Sequence, residues 1–416
     1  MTKETVYIRE KKVSLSVTNS KISAILRKDT AKTGIRLYDN GCLGVAGAIG
    51  SYNEEELTDN AKRMLDFKLP YDAEPTVGSV ASVDLSGKLD VTDEAFVKTA
   101  EKILDTMNKQ FPQFMFSHKI ELTESESKLT NDLGTNLYYK DKSFDCVLLI
   151  KHRDSKNLMD GQGIYVNRNM DFDQIIDVIS KECRAYEKKV DFGEAGETIP
   201  VIIHGRHFEF LSKFAQDLRG DVFANGASLL SGKKGEKLFS DKFTLNINRN
   251  SEKTFNPFFD GEGVTLNDNK FALIDKGILV SPYTSKRMAK QYNLPITGSA
   301  SMSYDSTPDA SPYSCYAESN NQTIKELLGG KVGILVIVAS GGDYTPQGEF
   351  AAPIQTAYMF DGENYLGRLP QLSMSSNIFD MFGKDYVGVS SDGDYPGSVY
   401  NYMVVDMNVK KIDGWM

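Results

Sequence analysis

Glycine is spread unevenly along this chain: 10 of its 34 glycines lie in residues 1–188 and 24 in residues 189–416, two stretches of similar length. Glycine supplies the backbone positions that tight turns need, so the second stretch is expected to be the richer in turns and β-structure. A length of 416 residues suggests two or three domains. Between the stretches, residues 190–198 (VDFGEAGET) are acidic, carry two glycines and show no apolar period, and they read as a linker. The expected organisation is an N-terminal region over residues 1–190, built of blocks 1–70 and 92–190, a linker at 191–198, and a C-terminal domain over 199–416.

Apolar residues make up 40% and charged residues 25% of the chain, as in ordinary folded proteins. With 48 Lys and Arg against 57 Asp and Glu, the formal charge is −9, and no global positive field is available to attract a polyanion. Nucleic acid is therefore not an expected partner. The longest apolar run, residues 332–339 (VGILVIVA), is far shorter than the ~20 residues a membrane helix needs. It reads as a buried strand, and no membrane is an expected partner. The opening MTKETVYIREKK lacks the apolar stretch of a secretory signal. Cys42, Cys146, Cys183 and Cys315 stand far apart without a C-x-x-C pair, so neither a disulfide framework nor a zinc ribbon is signalled. A cytoplasmic location fits these features.

Apolar and polar residues alternate over residues 5–27, with Val13, Leu15 and Val17 followed by Ile22, Ala24 and Leu26. Residues 35–49 fold about Asp39-Asn40-Gly41, since Asn-Gly favours the two positive-φ positions of a tight hairpin. A small antiparallel sheet is expected here. Residues 53–67 place Leu57, Ala61, Met64 and Leu65 on one helical face behind an acidic first turn, which suits the helix dipole. The pattern recurs in the second block: a helix over 93–110 burying Phe96, Ala100, Ile103, Leu104 and Met107, strands at 119–122, 136–139 and 146–151, and a helix over 172–188. Later come a strand at 200–203, a helical face made of Leu211, Phe214, Ala215 and Leu218, and strands at 243–247, 333–339 and 402–405 between turns. The predicted fold class is α+β: an N-terminal two-layer α/β sandwich-like region followed by a large β-rich C-terminal domain.

No catalytic constellation assembles from the residues alone. His204, His207 and Glu209 are the types a zinc hydrolase uses, but the histidines stand at i and i+3 rather than i and i+4, and a glycine intervenes. Solvent-facing or capping histidines are the commoner case. The stretch from Gly226 to Lys234 departs from a phosphate loop, because Lys234 stands where Ser or Thr would hold magnesium, and a turn is expected. Around Ser390 a nucleophile elbow is excluded by Asp392, which replaces the required glycine. Asp392-Gly393-Asp394 reads as a solvated acidic turn.

A series of segments in order resembles the TldD/PmbA family, described as modulators of DNA gyrase and including the TldD/TldE peptidase pair. Gly34-Ile35-Arg36-Leu37 with Gly41-Cys42-Leu43-Gly44 is similar to that family's "G-x-R-x…G-x-x-G" hairpin. Asn225-Gly226-Ala227-Ser228 through Gly235-Glu236 resembles its "G-x-S-x-x-x-G-x-x-G-E" stretch. Phe259-Asp260-Gly261-Glu262-Gly263 and Lys276-Gly277-Ile278-Leu279 follow. Thr297-Gly298-Ser299-Ala300 takes the place of the "T-G-x-A" element, Gly341-Gly342-Asp343-Tyr344-Thr345 with Gly348-Glu349-Phe350 that of the "T-G-x-F" loop, and Asp361-Gly362-Glu363 that of "N-G-E". The gyrase label implies no DNA contact.

The resemblance also carries a division into a zinc-bearing TldD type, with an H-E-x-x-x-H helix and a later cysteine, and a TldE/PmbA type without those ligands. Here the corresponding helix, residues 211–218, holds neither His nor Glu, and residues 389–396 hold no Cys. The resemblance thus implies a zinc-free TldE/PmbA-like subunit of a metallopeptidase, with no catalytic residue, metal ligand or cofactor of its own and zinc on a TldD-type partner. It implies that the chain walls a cavity admitting unfolded peptide for proteolysis or maturation. Thr297, Gly298, Gly341, Gly342, Asp343, Thr345, Gly348 and Phe350 are the candidate peptide-binding residues, because glycine lets a backbone approach a bound chain closely. Two alternatives stand beside this: a homodimeric or larger peptide-binding scaffold without hydrolysis, and an independent metallopeptidase using His204, His207 and Glu209.

Overall fold

The computed structural model describes residues 1–192, 197–205 and 207–412. The expected linker lies in part outside the described residues, as does Arg206.

The chain opens with unusually long strands, β1 (Thr2–Thr18), β2 (Lys21–Asp39) and β3 (Cys42–Ile49). Both connections are two-residue turns, Thr18 pairing with Lys21 and Asp39 with Cys42. Asn40 and Gly41 take φ of 46° and 74°, the left-handed pair that the Asn-Gly signal predicts. The turn at Asn19-Ser20 has the same geometry, yet the sequence reads there as one unbroken alternating run. What holds Ser20 in that conformation is a distant strand: its N–H donates to the Phe116 carbonyl and its hydroxyl accepts from the Phe116 N–H.

β4 (Val80–Asp84), β5 (Phe114–Asn131), β6 (Asn136–His152) and β7 (Gly161–Asn167) complete one sheet of seven strands in the order β3-β2-β1-β5-β6-β4, with β7 also on β6. This corrects the expectation of a small separate sheet, because β1 pairs with β5 along most of its length and fuses the two blocks. It also corrects the short strands expected at 119–122, 136–139 and 146–151, which lie inside β5 and β6. Charged residues that break the apolar alternation sit in mid-strand and pair across it, as Lys140 does with Glu124 at 3.3 Å.

Three helices cover this sheet. In α1 (Glu54–Leu65) the Asn53 side chain caps the Glu56 N–H, and Leu57 and Ala61 pack on Ile35 and Leu37. α2 (Asp93–Gln110) and α3 (Phe172–Ala185) begin at Thr92 and Asp171, whose side chains cap their first turns. Their apolar stripes, Phe96, Ala100, Ile103, Leu104 and Met107 with Ile175, Ile176, Ile179 and Cys183, bury against Val13, Ile120, Leu122, Phe144 and Leu148.

The remainder is β-rich, in agreement with the α+β expectation. β8 (Glu197–Gly205) leads into α4 (Phe208–Asp217) and α5 (Gly220–Ala224). β9 (Leu245–Asn248), β10 (Lys270–Asp275), β11 (Ile278–Leu279) and β12 (Cys315–Ala317) form a small sheet in the order β11-β10-β9-β12, with α6 (Ser251–Thr254) and α7 (Lys286–Tyr292) in its connections. The apolar run forms β13 (Gly333–Ala339), nearly all of it buried, after α8 (Ile324–Leu328). Then come β14 (Asp343–Tyr344), β15 (Glu349–Phe360), β16 (Tyr365–Arg368), β17 (Leu372–Asn377), α9 (Ile378–Met381), β18 (Tyr386–Val389) and β19 (Asn401–Lys411). The order β13-β8-β19-β17-β15 closes on itself, since β13 pairs with β15 as well as with β8. Such closure leaves these strands without an open edge. Val201, Ile203, Met403, Val405 and Met374 fill the core they share with Phe210 and Phe214 of α4 and with Leu218 at its C-cap. All four cysteines are unpaired, and among the described residues no helix is long and apolar enough to cross a membrane.

Candidate functional site

Three of the segments behind the family resemblance meet at one buried junction between the seven-stranded sheet and the second stretch. Arg36, on β2, is fully buried. Its guanidinium donates to Glu4 Oε1 at 3.1 Å, to the Gly261 carbonyl at 2.5 Å and to the Ser303 carbonyl at 2.7 Å. Glu4 is equally buried and also accepts from the Tyr38 hydroxyl at 3.0 Å. Gly34 and Gly47 are register partners on β2 and β3, and the missing side chains make room for the segment around Tyr304. A Cβ on Gly34 would stand 2.1 Å from the Tyr304 carbonyl oxygen, and one on Gly47 would stand 2.7 Å from Asp305 Cβ. Gly44 serves the same purpose for α1, where a Cβ would meet the Ala61 carbonyl at 2.1 Å.

The second segment answers the first. Asp260 accepts from the Glu262 and Val264 N–H groups through one oxygen, and from the Ala300 N–H through the other, each at 2.9 Å. Its carboxylate thereby ties residues 260–264 to residues 297–300. Glu262, 2% exposed, accepts from the Tyr71 hydroxyl and from the Lys286 N–H, while Lys286 Nζ reaches Thr76 Oγ1 at 2.6 Å. Burial, then the neighbouring Asp260, pushes the Glu262 carboxyl up to about 7, against the opposing pull of the Lys286 N–H and Tyr71. Burial likewise lowers Lys286 and Arg249, the latter donating to the Gly298 carbonyl at 2.9 Å.

This arrangement has a defined pH signature. The folded state takes up a proton on Glu262 as pH falls through about 7, whereas the unfolded chain does so only near 4.5. Stability from this group is therefore fully present below about pH 4.5 and is lost as pH rises through about 7. Glu262→Gln should flatten that dependence, so the gap in melting temperature between variant and wild type changes most across this window. A constant gap from pH 5 to pH 8 would show that Glu262 does not titrate there.

The candidate peptide-binding residues divide between interior and surface. Thr297 and Gly298 are buried, and Thr297 Oγ1 bridges the Thr284 N–H at 2.8 Å and the Thr284 carbonyl at 3.1 Å. Gly348 and Phe350 are also buried: a Cβ on Gly348 would lie 2.7 Å from Ile378 Cγ2, and the Phe350 ring packs edge-on to Phe210. Gly341, Gly342, Asp343 and Thr345 are exposed. The two loops are fastened to different places, residues 297–300 to the junction and residues 344–350 to α4 and α9.

The histidines differ from the solvent-facing or capping role expected of them. His207 is buried at the N-cap position of α4 with φ of 55°, and its side chain makes no cap bond. Its Nε2 instead lies 2.9 Å from the Asn401 carbonyl, and burial lowers its pKa to about 4, which keeps it neutral. His204 Nδ1 lies 3.0 Å from Asp394, which also accepts from the Tyr402 hydroxyl. Glu209 is exposed. Among the described residues no three His, Cys, Asp or Glu side chains are grouped to hold a metal ion. Asp392 accepts from the Ile324 N–H at the start of α8, so residues 392–394 bind the fold together rather than forming the solvated turn expected. Ser390 is buried and donates to the Asp392 carbonyl.

Along α4, Leu211, Phe214 and Leu218 are core residues, with the Phe214 ring 4.8 Å from that of Phe382. Lys213 and Asp217 form a buried ion pair at 3.1 Å one turn apart.

The sequence alone points to Arg36, Gly261 and Glu262 without showing that Arg36 reaches the Gly261 carbonyl, and it does not single out Glu4, Tyr71 or Lys286. The available signal was an Arg two residues after a glycine in the buried, mostly apolar end of a strand whose other half is polar (Gly34-Ile35-Arg36-Leu37-Tyr38), a pattern that suits a buried cation beneath a closely approaching backbone.

The same fold occurs in TldE from Thermococcus kodakarensis, with a TM-score of 0.80 over 98% of this chain and 96% of that one at 18% identity. A Thermotoga maritima protein named as a candidate modulator of a DNA gyrase also gives 0.80, over 98% and 96% at 15% identity. An uncharacterized protein of Methanocaldococcus jannaschii is 22% identical over 391 residues, covering 91% of this chain and 89% of that protein. The family model described as the PmbA/TldA metallopeptidase C-terminal domain matches residues 196–411, just over half of the chain, and the protein belongs to the PmbA/TldD metallopeptidase family.

Proposed function

We propose that this chain is a TldE/PmbA-like subunit that holds no zinc itself and assembles with a TldD-type, zinc-bearing partner into a peptide-processing enzyme. The observation that carries this reading is α4. Zinc needs imidazole, thiolate or carboxylate donors converging on one point. Over residues 211–218 the chain instead offers aliphatic and aromatic groups already packed in the core, and a carboxylate already paired with Lys213. These residues do not fit the metal, so hydrolysis belongs to the partner. The likeness to a protein named TldE supports the same assignment. In this reading the chain is cytoplasmic, residues 1–190 and 199–416 are its two parts, joined at 191–198, and the exposed tip with Gly341, Gly342, Asp343 and Thr345 faces the shared cavity that admits unfolded peptide.

The test is expression with and without a TldD-type chain, measuring co-purification, bound zinc and peptide cleavage. The pair should form, carry zinc and cleave, while this chain alone should do neither of the last two. Self-association with no pairing would favour the peptide-binding scaffold. Near-stoichiometric zinc on the chain alone, lost in His204→Ala or His207→Ala, would establish the independent hydrolase instead.

A further inference from the structure

On the face of the seven-stranded sheet turned away from α2 and α3, the region with Lys12, Glu121, Thr123, Ser143 and Asp145 is polar and lies against the ends of β8 and β19. A cleft of about 540 Å³ separates them, within the size range of small-ligand sites. On its floor Glu121 of β5 stands directly opposite Asp145 of β6. Like charges at directly opposed positions destabilise a sheet, so this pair costs stability unless something positive sits over it. Lys12 of β1 pairs with Glu121 at 3.4 Å, and its charge acts on Asp145 from farther away. Asp145 is held by the Ser143 hydroxyl at 2.8 Å, and among the described residues it has no ion-pair partner. In the opposite wall His204 turns Nδ1 to Asp394 at 3.0 Å, an arrangement in which the neutral imidazole has Nε2 as its acceptor, and that atom is buried with no hydrogen-bond partner among the described residues.

Among the described residues the cleft therefore holds two acceptors in want of donors, one lysine beside them, and an apolar flank of Val147, Ile164 and Val166. The complementary ligand is a cation with several N–H groups, a neighbouring carbonyl and an apolar side chain. We propose that this cleft binds the free amino-terminal residue of a peptide, its ammonium on Asp145 and His204, its first carbonyl toward Lys12 and its side chain on the apolar flank. The proposal deepens the peptide-processing reading and depends on it for biological use only. Its test uses the full chain alone, so failure here is distinct from failure to pair with a TldD-type partner.

Isothermal titration with Leu-Ala-Ala-amide, its N-acetyl form, free leucine and putrescine separates the sources of the amine. The peptide amide should bind, and acetylation should weaken it at least about tenfold, the scale of one lost charge-assisted contact. Asp145→Asn should weaken the free-amine peptide to a similar degree and leave the acetylated one unchanged. Free leucine and putrescine should bind more weakly than the peptide, the first for its added carboxylate beside Glu121 and the second for its missing carbonyl. Binding within about twofold for the two peptide forms, putrescine matching the peptide, or no peptide binding by the folded chain at millimolar concentration would each overturn the proposal. If Asp145→Asn does not fold, the acetylation comparison on the wild type decides alone.

Discussion

Arg36→Met should lower the stability of the chain by about 3–5 kcal/mol, the range seen when one member of a buried ion pair is removed. The methionine nearly matches the arginine stem in volume, so little of this is a cavity. What remains is a fully buried Glu4 carboxylate with the Tyr38 hydroxyl as its close neutral donor, and the Gly261 and Ser303 carbonyls, which lose their guanidinium donor. Glu4→Leu combined with Arg36→Met removes the stranded charge but not the two carbonyls, so it should recover about half of the loss. Thermal and denaturant unfolding followed by circular dichroism measure both. A single-variant loss under about 1 kcal/mol would mean that Glu4 takes up a proton or reaches water at little cost, and the junction would not be the clamp described above.

Gly261→Ala should be nearly as damaging, by about 3 kcal/mol or more, for a purely steric reason. Its Cβ would stand 1.8 Å from the Ser301 carbonyl oxygen and 2.4 Å from the carbonyl carbon. Those atoms are backbone, held by the Ser301 N–H bond to Asp309 and by the Gly261 N–H bond to the Ala300 carbonyl, so no rotamer change relieves the contact. The carbonyl that Arg36 uses moves with any shift of Gly261, which couples this variant to the first. Gly87→Ala is the matched control, because a Cβ there meets nothing within 4 Å, and it should be close to neutral. Equal melting temperatures for the two alanine variants would refute the close-packing account of the junction.

How much could be read in advance follows from the range of the forces involved. The helix over 93–110 was legible to its last residue because its cap, its 3.6-residue period and its apolar stripe all lie within the segment. The Asn40-Gly41 turn was legible for the same reason. The Asn19-Ser20 turn was not, because its stability comes from Phe116 on another strand. The polar middles of β5 and β6 were likewise hidden, since only cross-strand partners make those residues compatible with a sheet. At the site, the motif segments were visible as strings of glycine, aspartate and glutamate, but their roles were not. Thr297 and Gly298 looked suited to line a cavity and turn out to be interior, whereas Arg36, one of several cations along β2, is the buried one and reaches a carbonyl 225 residues away.

The sequence by itself determined α1 to α4, the Asn-Gly hairpin, the β-rich second stretch and the family, because capping, periodicity, turn chemistry and ordered motifs are local properties of the chain. Only the tertiary structure decided that two blocks share one sheet, that the β13-β8-β19-β17-β15 ring closes, and that Glu4, Arg36, Gly261 and Glu262 meet in the interior. Those outcomes depend on which distant groups come within hydrogen-bonding distance once water is excluded, and no short stretch of sequence carries that information.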